Sequence, residues 1–125
     1  MEVGPDDLGH ATHSLYCKNC AMQERRYPVL QVFQSDLCGF GLKACQKCES
    51  GTVLAEYTGE VITSKECVRR MAEVKKGSTD SFYFAALGDG LFLDAKSFGS
   101  IARFANHCCN PNSELQRWYV DGMVR

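Results

Sequence analysis

The residues from Arg103 to Asn112, RFANHCCNPN, crowd a cation, side-chain amides, an imidazole and two thiols around one proline turn. Asn106 and His107 carry donors and acceptors able to hold a polar ligand, and Asn110-Pro111-Asn112 is a turn signal. Cys108 and Cys109 can bind metal or fill core, since a lone His or Cys is more often a satisfied interior residue. A second candidate is Cys38-Gly39-Phe40-Gly41-Leu42. Two glycines around an aromatic let backbone approach a ligand closely while the ring covers it, and the same spacing also marks a plain bend between strands. Tyr57 is the third. It ends a run that alternates from Thr52, where a tyrosine is by default a half-buried packing residue with its hydroxyl bonded at the edge.

Eight cysteines call for metal, burial or redox chemistry, because a reducing compartment prevents a disulfide framework. Cys17-x-x-Cys20 and Cys45-x-x-Cys48 have the spacing of two halves of a zinc site, while Cys48 serves equally well as a small buried residue between strands.

The elements that must position these groups are short. Val29 to Phe33, Gly41 to Ala44 and Thr52 to Tyr57 read as strands. Thr63 to Lys76 reads as a helix, with Thr63 and Glu66 in a capping box, Ile62 and Cys67 as a staple and Gly77 as the stop. Val68, Met71 and Ala72 form its expected inward stripe, leaving Arg69, Arg70, Glu73 and Lys75 as a solvated face. Phe82 to Leu87 and Leu91 to Asp94 flank Gly88-Asp89-Gly90 as a hairpin, and a second hairpin turns at Asp121-Gly122 between Gln116–Val120 and Met123–Arg125. Residues up to about Ser14 lack any period and read as a flexible lead-in, with His10 and His13 facing water.

A chain of 125 residues with a formal net charge of −1 is about one domain long and has no basic footprint for nucleic acid. It lacks a secretory start and a run of about twenty apolar residues, so the expectation is a soluble intracellular protein off the membrane. No glycine-rich loop joins a strand to a helix as a dinucleotide-binding fold requires.

Taken together, the three stretches resemble the SET domain family of protein lysine methyltransferases. Arg103, Phe104, Asn106, His107, Cys108, Cys109, Pro111 and Asn112 fill every fixed position of its hallmark R-F-x-N-H-[SC]-C-x-P-N. EYTGEVI, from Glu56 to Ile62, follows its second signature, and Gly39-Phe40-Gly41 its G-x-G. Asp94-Ala95 and Gly99 match the lead into the hallmark, with Ser100 in place of the usual asparagine at a turn. The resemblance implies a mainly β fold with short helices, the SET-type β-clip with a knot-like C-terminal threading, an exception to unthreaded connections. It implies S-adenosylmethionine as methyl donor, cradled by Gly39, Phe40 and Gly41, bordered by Tyr83, and bound or braced by Arg103, Asn106 and His107. Tyr57 would face the target lysine.

Residues 16–28 resemble the tail of the AWS module, with Cys17 as the counterpart of its last zinc-binding cysteine. Cys109 aligns with a cysteine that joins three post-SET thiols around zinc, so both metal sets are partial here. Ser113 stands where close relatives often carry another cysteine, and Cys108 is a permitted variant of a family serine. Residues 29–125 would then be a SET domain whose closing segment, with a further tyrosine, lies past Arg125. The implied function is methyl transfer to a lysine of a histone tail or nucleosome, in the nucleus, at chromatin. A non-catalytic donor- or peptide-binding module and a zinc-organised interaction domain are the alternatives.

Overall fold

The structure, a computed structural model, describes residues 18–36, 39–74 and 82–125. The lead-in, Cys17 and Gly77 fall outside these residues, as does the side chain of Cys20. Helix α1, Lys18–Gln23, was not expected from the sequence. It ends in a left-handed Arg25 (φ 52°), with Arg26 N–H donating to the Ala21 carbonyl at 2.8 Å and Arg25 N–H to that of Met22 at 3.1 Å. This is the paired closure that satisfies a helix's last carbonyls.

Strands β1 (Leu30–Ser35) and β2 (Gly39–Ala44) form an antiparallel ribbon from Leu30↔Ala44 to Ser35↔Gly39. A three-stranded sheet follows in the order β3 (Glu60–Thr63), β5 (Leu91–Asp94), β4 (Phe84–Gly88). The β4–β5 hairpin turns through Asp89 (φ 53°) and Gly90 (φ 74°), two successive left-handed residues whose twist suits a two-residue loop. Asp121 (φ 52°) and Gly122 (φ 74°) repeat the geometry between β6 (Tyr119–Val120) and β7 (Met123–Val124). Both expected hairpins are therefore present.

Two expectations need correction. Residues 52–59 form no strand. Side chains hold this segment in place of a ladder: Ser100 Oγ donates to the Glu56 carbonyl at 2.6 Å, and the Tyr57 hydroxyl to the Tyr83 carbonyl at 3.1 Å. Helix α2, Ser64–Val74, begins as expected, with Thr63 Oγ1 accepting from Glu66 N–H at 3.3 Å, but its inward face is different. Cys67 is buried and Val68 is 65% exposed. Arg70 is half-buried beneath the helix, bonded to Glu60, Glu66 and Asp94, so it does not belong to a solvated face. Three carboxylates there outcompete the apolar side chains for the inward position, because a carboxylate buried as deeply as Asp94 requires a counter-ion.

Ile62 and Cys67 seal helix to sheet, Met22 and Val120 are buried where α1 meets β6, and Ala95 has no exposed surface at all. Ala95 lies between the sheet and a short 3-10 helix, Ile101–Phe104, whose N-cap Ser100 accepts from Ala102 N–H. From that helix the chain runs directly into Asn106 and His107.

Candidate active site

The β2 start and the residues after the 3-10 helix lie side by side. Asn106 Nδ2 donates to the Phe40 carbonyl at 3.1 Å, across 66 residues of sequence. The Phe40 and Phe104 rings meet edge to face, with centroids 6.0 Å apart. The two glycines serve different ends. Gly39 has φ 74° with open space where a Cβ would point, so its conformation demands glycine and leaves the backbone uncovered. At Gly41 a Cβ would stand 2.7 Å from the Phe33 ring and 3.4 Å from Asn106 Nδ2. The missing side chain at Gly41 therefore makes room for protein, not for a ligand as the spacing first suggests. Phe40 itself is 56% exposed beside that opening.

Arg103 is held on two sides. Its Nη1 donates to the Ala95 and Lys96 carbonyls at 3.1 and 2.8 Å, and the guanidinium lies over the Phe104 and Tyr83 rings at 4.8 and 5.5 Å. Stacked and hydrogen-bonded, it braces the wall that carries Phe104 and Tyr83. The Tyr83 carbonyl is a meeting point, accepting from Ala95 N–H at 3.0 Å and from the Tyr57 hydroxyl at 3.1 Å. Burial first, then the Asp94 charge and Tyr83, hold the Tyr57 phenol above its ordinary value, while Arg103 pulls it down. Tyr57 thus stays a neutral donor at physiological pH.

Tyr57 also borders an open cleft of about 990 Å³ between the 48–57 segment, β4 and residues 111–118. Ala85, Ala86 and Leu93 form its apolar floor, and Glu49 and Glu114 stand in its walls. Gly39, Phe40, Gly41, Tyr83, Arg103, Asn106 and His107 lie outside that lining, and Tyr57, which belongs to it, reaches the Tyr83 carbonyl. On the far wall Arg117 Nη1 donates to the Leu87 carbonyl at 2.6 Å, where the β4–β5 register skips a residue.

The described cysteine thiols are dispersed. Cys109 Sγ is 3.9 Å from His107 Nε2 on the surface, Cys108 Sγ bonds the Asn110 carbonyl, and Cys48 Sγ the Gln46 carbonyl. Cys45, Cys108 and Cys109 are exposed. Among the described residues, no group of three or more His, Cys, Asp or Glu side chains converges to hold a metal.

Sequence reasoning missed three residues of this neighbourhood. Ser100, noted in the sequence only as a departure from the family pattern at a turn, ties the 3-10 helix to the Glu56–Tyr57 segment. Asp94, 4% exposed, accepts from Lys96 N–H at 2.9 Å and from Arg70 at 2.7 Å. An acid closing the apolar run Leu91-Phe92-Leu93 was a usable signal, since a buried carboxylate implies a cation. Its partner Arg70 could not be chosen from the helix pattern.

This mainly β architecture, with a Gly-Phe-Gly strand start and an Asn-His stretch joined at one place, is that of a SET-type domain. Residues 39–125 match the SET domain family, and the chain belongs to it. It is 35% identical, over 87% of its length and 30% of the relative's, to the histone-lysine N-methyltransferase ASHH3 of Arabidopsis thaliana. It is 38% identical, over 87% of its length and 16% of the relative's, to the H3 lysine-36 specific histone-lysine N-methyltransferase of Kluyveromyces lactis. Among solved structures, an autoinhibited polycomb repressive complex 2 bound to S-adenosylmethionine superposes with a TM-score of 0.78 at 31% identity, over 96% of this chain and 15% of that one. The chain thus spans less than a third of the length of each.

Proposed function

We propose that the chain binds S-adenosylmethionine and takes part in transferring its methyl group to a histone lysine. The observation that carries this reading is the Asn106-to-Phe40 hydrogen bond, which closes the Gly39 loop and the hallmark stretch over one place. The open backbone at Gly39, the exposed Phe40 ring and the polar edge of Asn106 and His107 fit a ligand with a flat base at one end and a charged amino acid at the other. The donor supplies an activated methyl on a sulfonium. Tyr83 borders that ligand and Arg103 braces the wall behind it.

The cleft on the other side of Tyr57 suits an extended peptide, with Glu49 and Glu114 complementing a basic tail. The lysine amine, arriving past Tyr57, attacks in line: the N–C bond forms as the S–C bond breaks, and neutral S-adenosylhomocysteine leaves. The chain's task is alignment and exclusion of water. An amine attacks only when neutral, and a poorly hydrated aromatic surround favours that form, its proton passing to solvent beforehand. The named relatives, histone-lysine N-methyltransferases by name, support a histone substrate, and a histone substrate in turn suits a place at chromatin in the nucleus. Because β1 pairs with β2 along its whole length, we assign residues 29–38 to the same unit as the matched region. Residues 16–28 remain assigned to an AWS-like remnant, and residues 1–15 to its lead-in.

Calorimetric titration with S-adenosylmethionine, run beside methyl transfer to nucleosomes, tests the reading. Saturable binding that Asn106→Ala weakens at least tenfold, with turnover, is expected. Binding without turnover makes the chain a donor-binding module, and no binding removes both.

A further inference from the structure

We infer that Arg70, on helix α2, is a positioning residue for the site. It acts through Asp94 on the segment that holds Tyr57, Tyr83 and Arg103. This rests on the donor-binding reading above for what the site does, and on geometry alone for how it is held. Arg70 Nη1 donates to Asp94 Oδ2 at 2.7 Å and to Glu60 Oε2 at 2.8 Å. Its Nη2 donates to Glu60 Oε1 at 3.0 Å and its Nε to Glu66 Oε1 at 2.8 Å. One guanidinium thus joins strand β3, helix α2 and the end of β5.

Asp94 is the buried member, and both its oxygens are used: the second accepts from Lys96 N–H. That bond fixes the turn at residues 94–96, whose Ala95 and Lys96 carbonyls take the Arg103 guanidinium. Ala95 N–H, in the same turn, donates to the Tyr83 carbonyl that also receives the Tyr57 hydroxyl. The turn has little slack. A Cβ on Gly59 would stand 2.7 Å from the Asp94 carbonyl oxygen, and one on Gly99 2.7 Å from the Ala95 side chain. A displacement of Asp94 must therefore pass to Tyr83 and Arg103.

Without Arg70, the Asp94 carboxylate, 4% exposed, faces Glu60 and Glu66 without the guanidinium that bonds it among the described residues. It must turn toward another partner, and turning weakens its hold on Lys96 N–H.

The test uses Arg70→Met, Arg70→Lys and, as a control of comparable thermal destabilisation, Val120→Ala, a buried residue of the second hairpin that makes none of the hydrogen bonds named above. Each is measured well below its melting temperature, by S-adenosylmethionine titration and by NMR of ring-labelled tyrosines, with Tyr57→Phe and Tyr83→Phe assigning the signals. Arg70→Met is expected to shift the Tyr57 and Tyr83 resonances and to lower donor affinity at least tenfold. Arg70→Lys recovers part of both, and Val120→Ala changes neither. Wild-type resonances in Arg70→Met overturn the inference. So does an equal effect from Val120→Ala, since that makes Arg70 merely structural. If the wild-type chain binds no donor, the donor reading fails, and the tyrosine resonances alone decide whether Arg70 positions the site.

Discussion

At the scale of single residues, glycines near the site differ in what their missing side chains make possible. At Gly59 an added Cβ meets backbone, the Asp94 carbonyl carbon and oxygen at 2.8 and 2.7 Å, which cannot swing aside. At Gly41 it meets the end of the Phe33 ring, a side chain 39% exposed, in place of backbone. Gly59→Ala should therefore lower stability by about 1–3 kcal/mol, the usual cost of overpacking, and Gly41→Ala by less. Urea unfolding of the two variants checks the order, and a reversed order contradicts these environments. Tyr57 gives a second prediction. Its phenol is held above the usual 10.0 mainly by burial, so the folded state keeps this proton longer than the unfolded one. The associated stability is complete below pH 10 and drains away as pH rises through the raised value. Tyr57→Phe should flatten the alkaline limb of a stability profile measured between about pH 9 and 11. Part of the slope remains, because burial raises Tyr27 as well.

At the scale of elements, helix α2 depends on its first turn. Thr63→Ala removes the acceptor for Glu66 N–H and should cost about 1 kcal/mol, read as a lower urea midpoint with an unchanged slope. The expected capping box is only half formed, since the Glu66 carboxylate turns away to Arg69 and Arg70. Those hydrogen bonds, Arg69 first, hold Glu66 at about 2, below its usual 4.5. A depressed carboxylate contributes stability that is present above pH 4.5 and lost as pH falls toward 2. Glu66→Gln should remove that part of the acid-side loss, and an acid limb identical to wild type would show that the two arginines do not hold Glu66 in solution. The Glu66 side chain keeps about a third of its surface in solvent, so the effect shrinks with added salt.

At the scale of the whole molecule, the second hairpin is tied back to the Tyr57 segment. Arg125 Nη1 lies 3.3 Å from a Glu56 carboxylate oxygen, both side chains being largely covered, while Trp118 and Arg125 exchange backbone hydrogen bonds. Glu56→Ala leaves a part-buried guanidinium unpaired and should cost about 1–3 kcal/mol by chemical denaturation. Donor binding should work in the opposite direction. At a hundred times its dissociation constant, a ligand that binds only the folded chain adds about 2.7 kcal/mol. S-adenosylmethionine should therefore raise the melting temperature of this chain by several degrees, and raise that of Asn106→Ala less at the same concentration.

The sequence by itself determined what local chemistry can determine. Gly88-Asp89-Gly90 and Asp121-Gly122 turn hairpins because left-handed backbone is open to few residues. Thr63 starts a helix because its hydroxyl can take an orphaned N–H. The motif stretches were legible as a family signature because their residue types are unusual at that spacing. Only the tertiary structure decided which distant groups share a volume. It set Asn106 against the Phe40 carbonyl, gave Gly41's empty side to Phe33, and turned Arg70 inward against the helix's own apolar pattern. The physical reason is that spacing along a chain fixes conformation and face, whereas the burial of Asp94, and hence its need for Arg70, exists only once strand, turn and helix have closed around it.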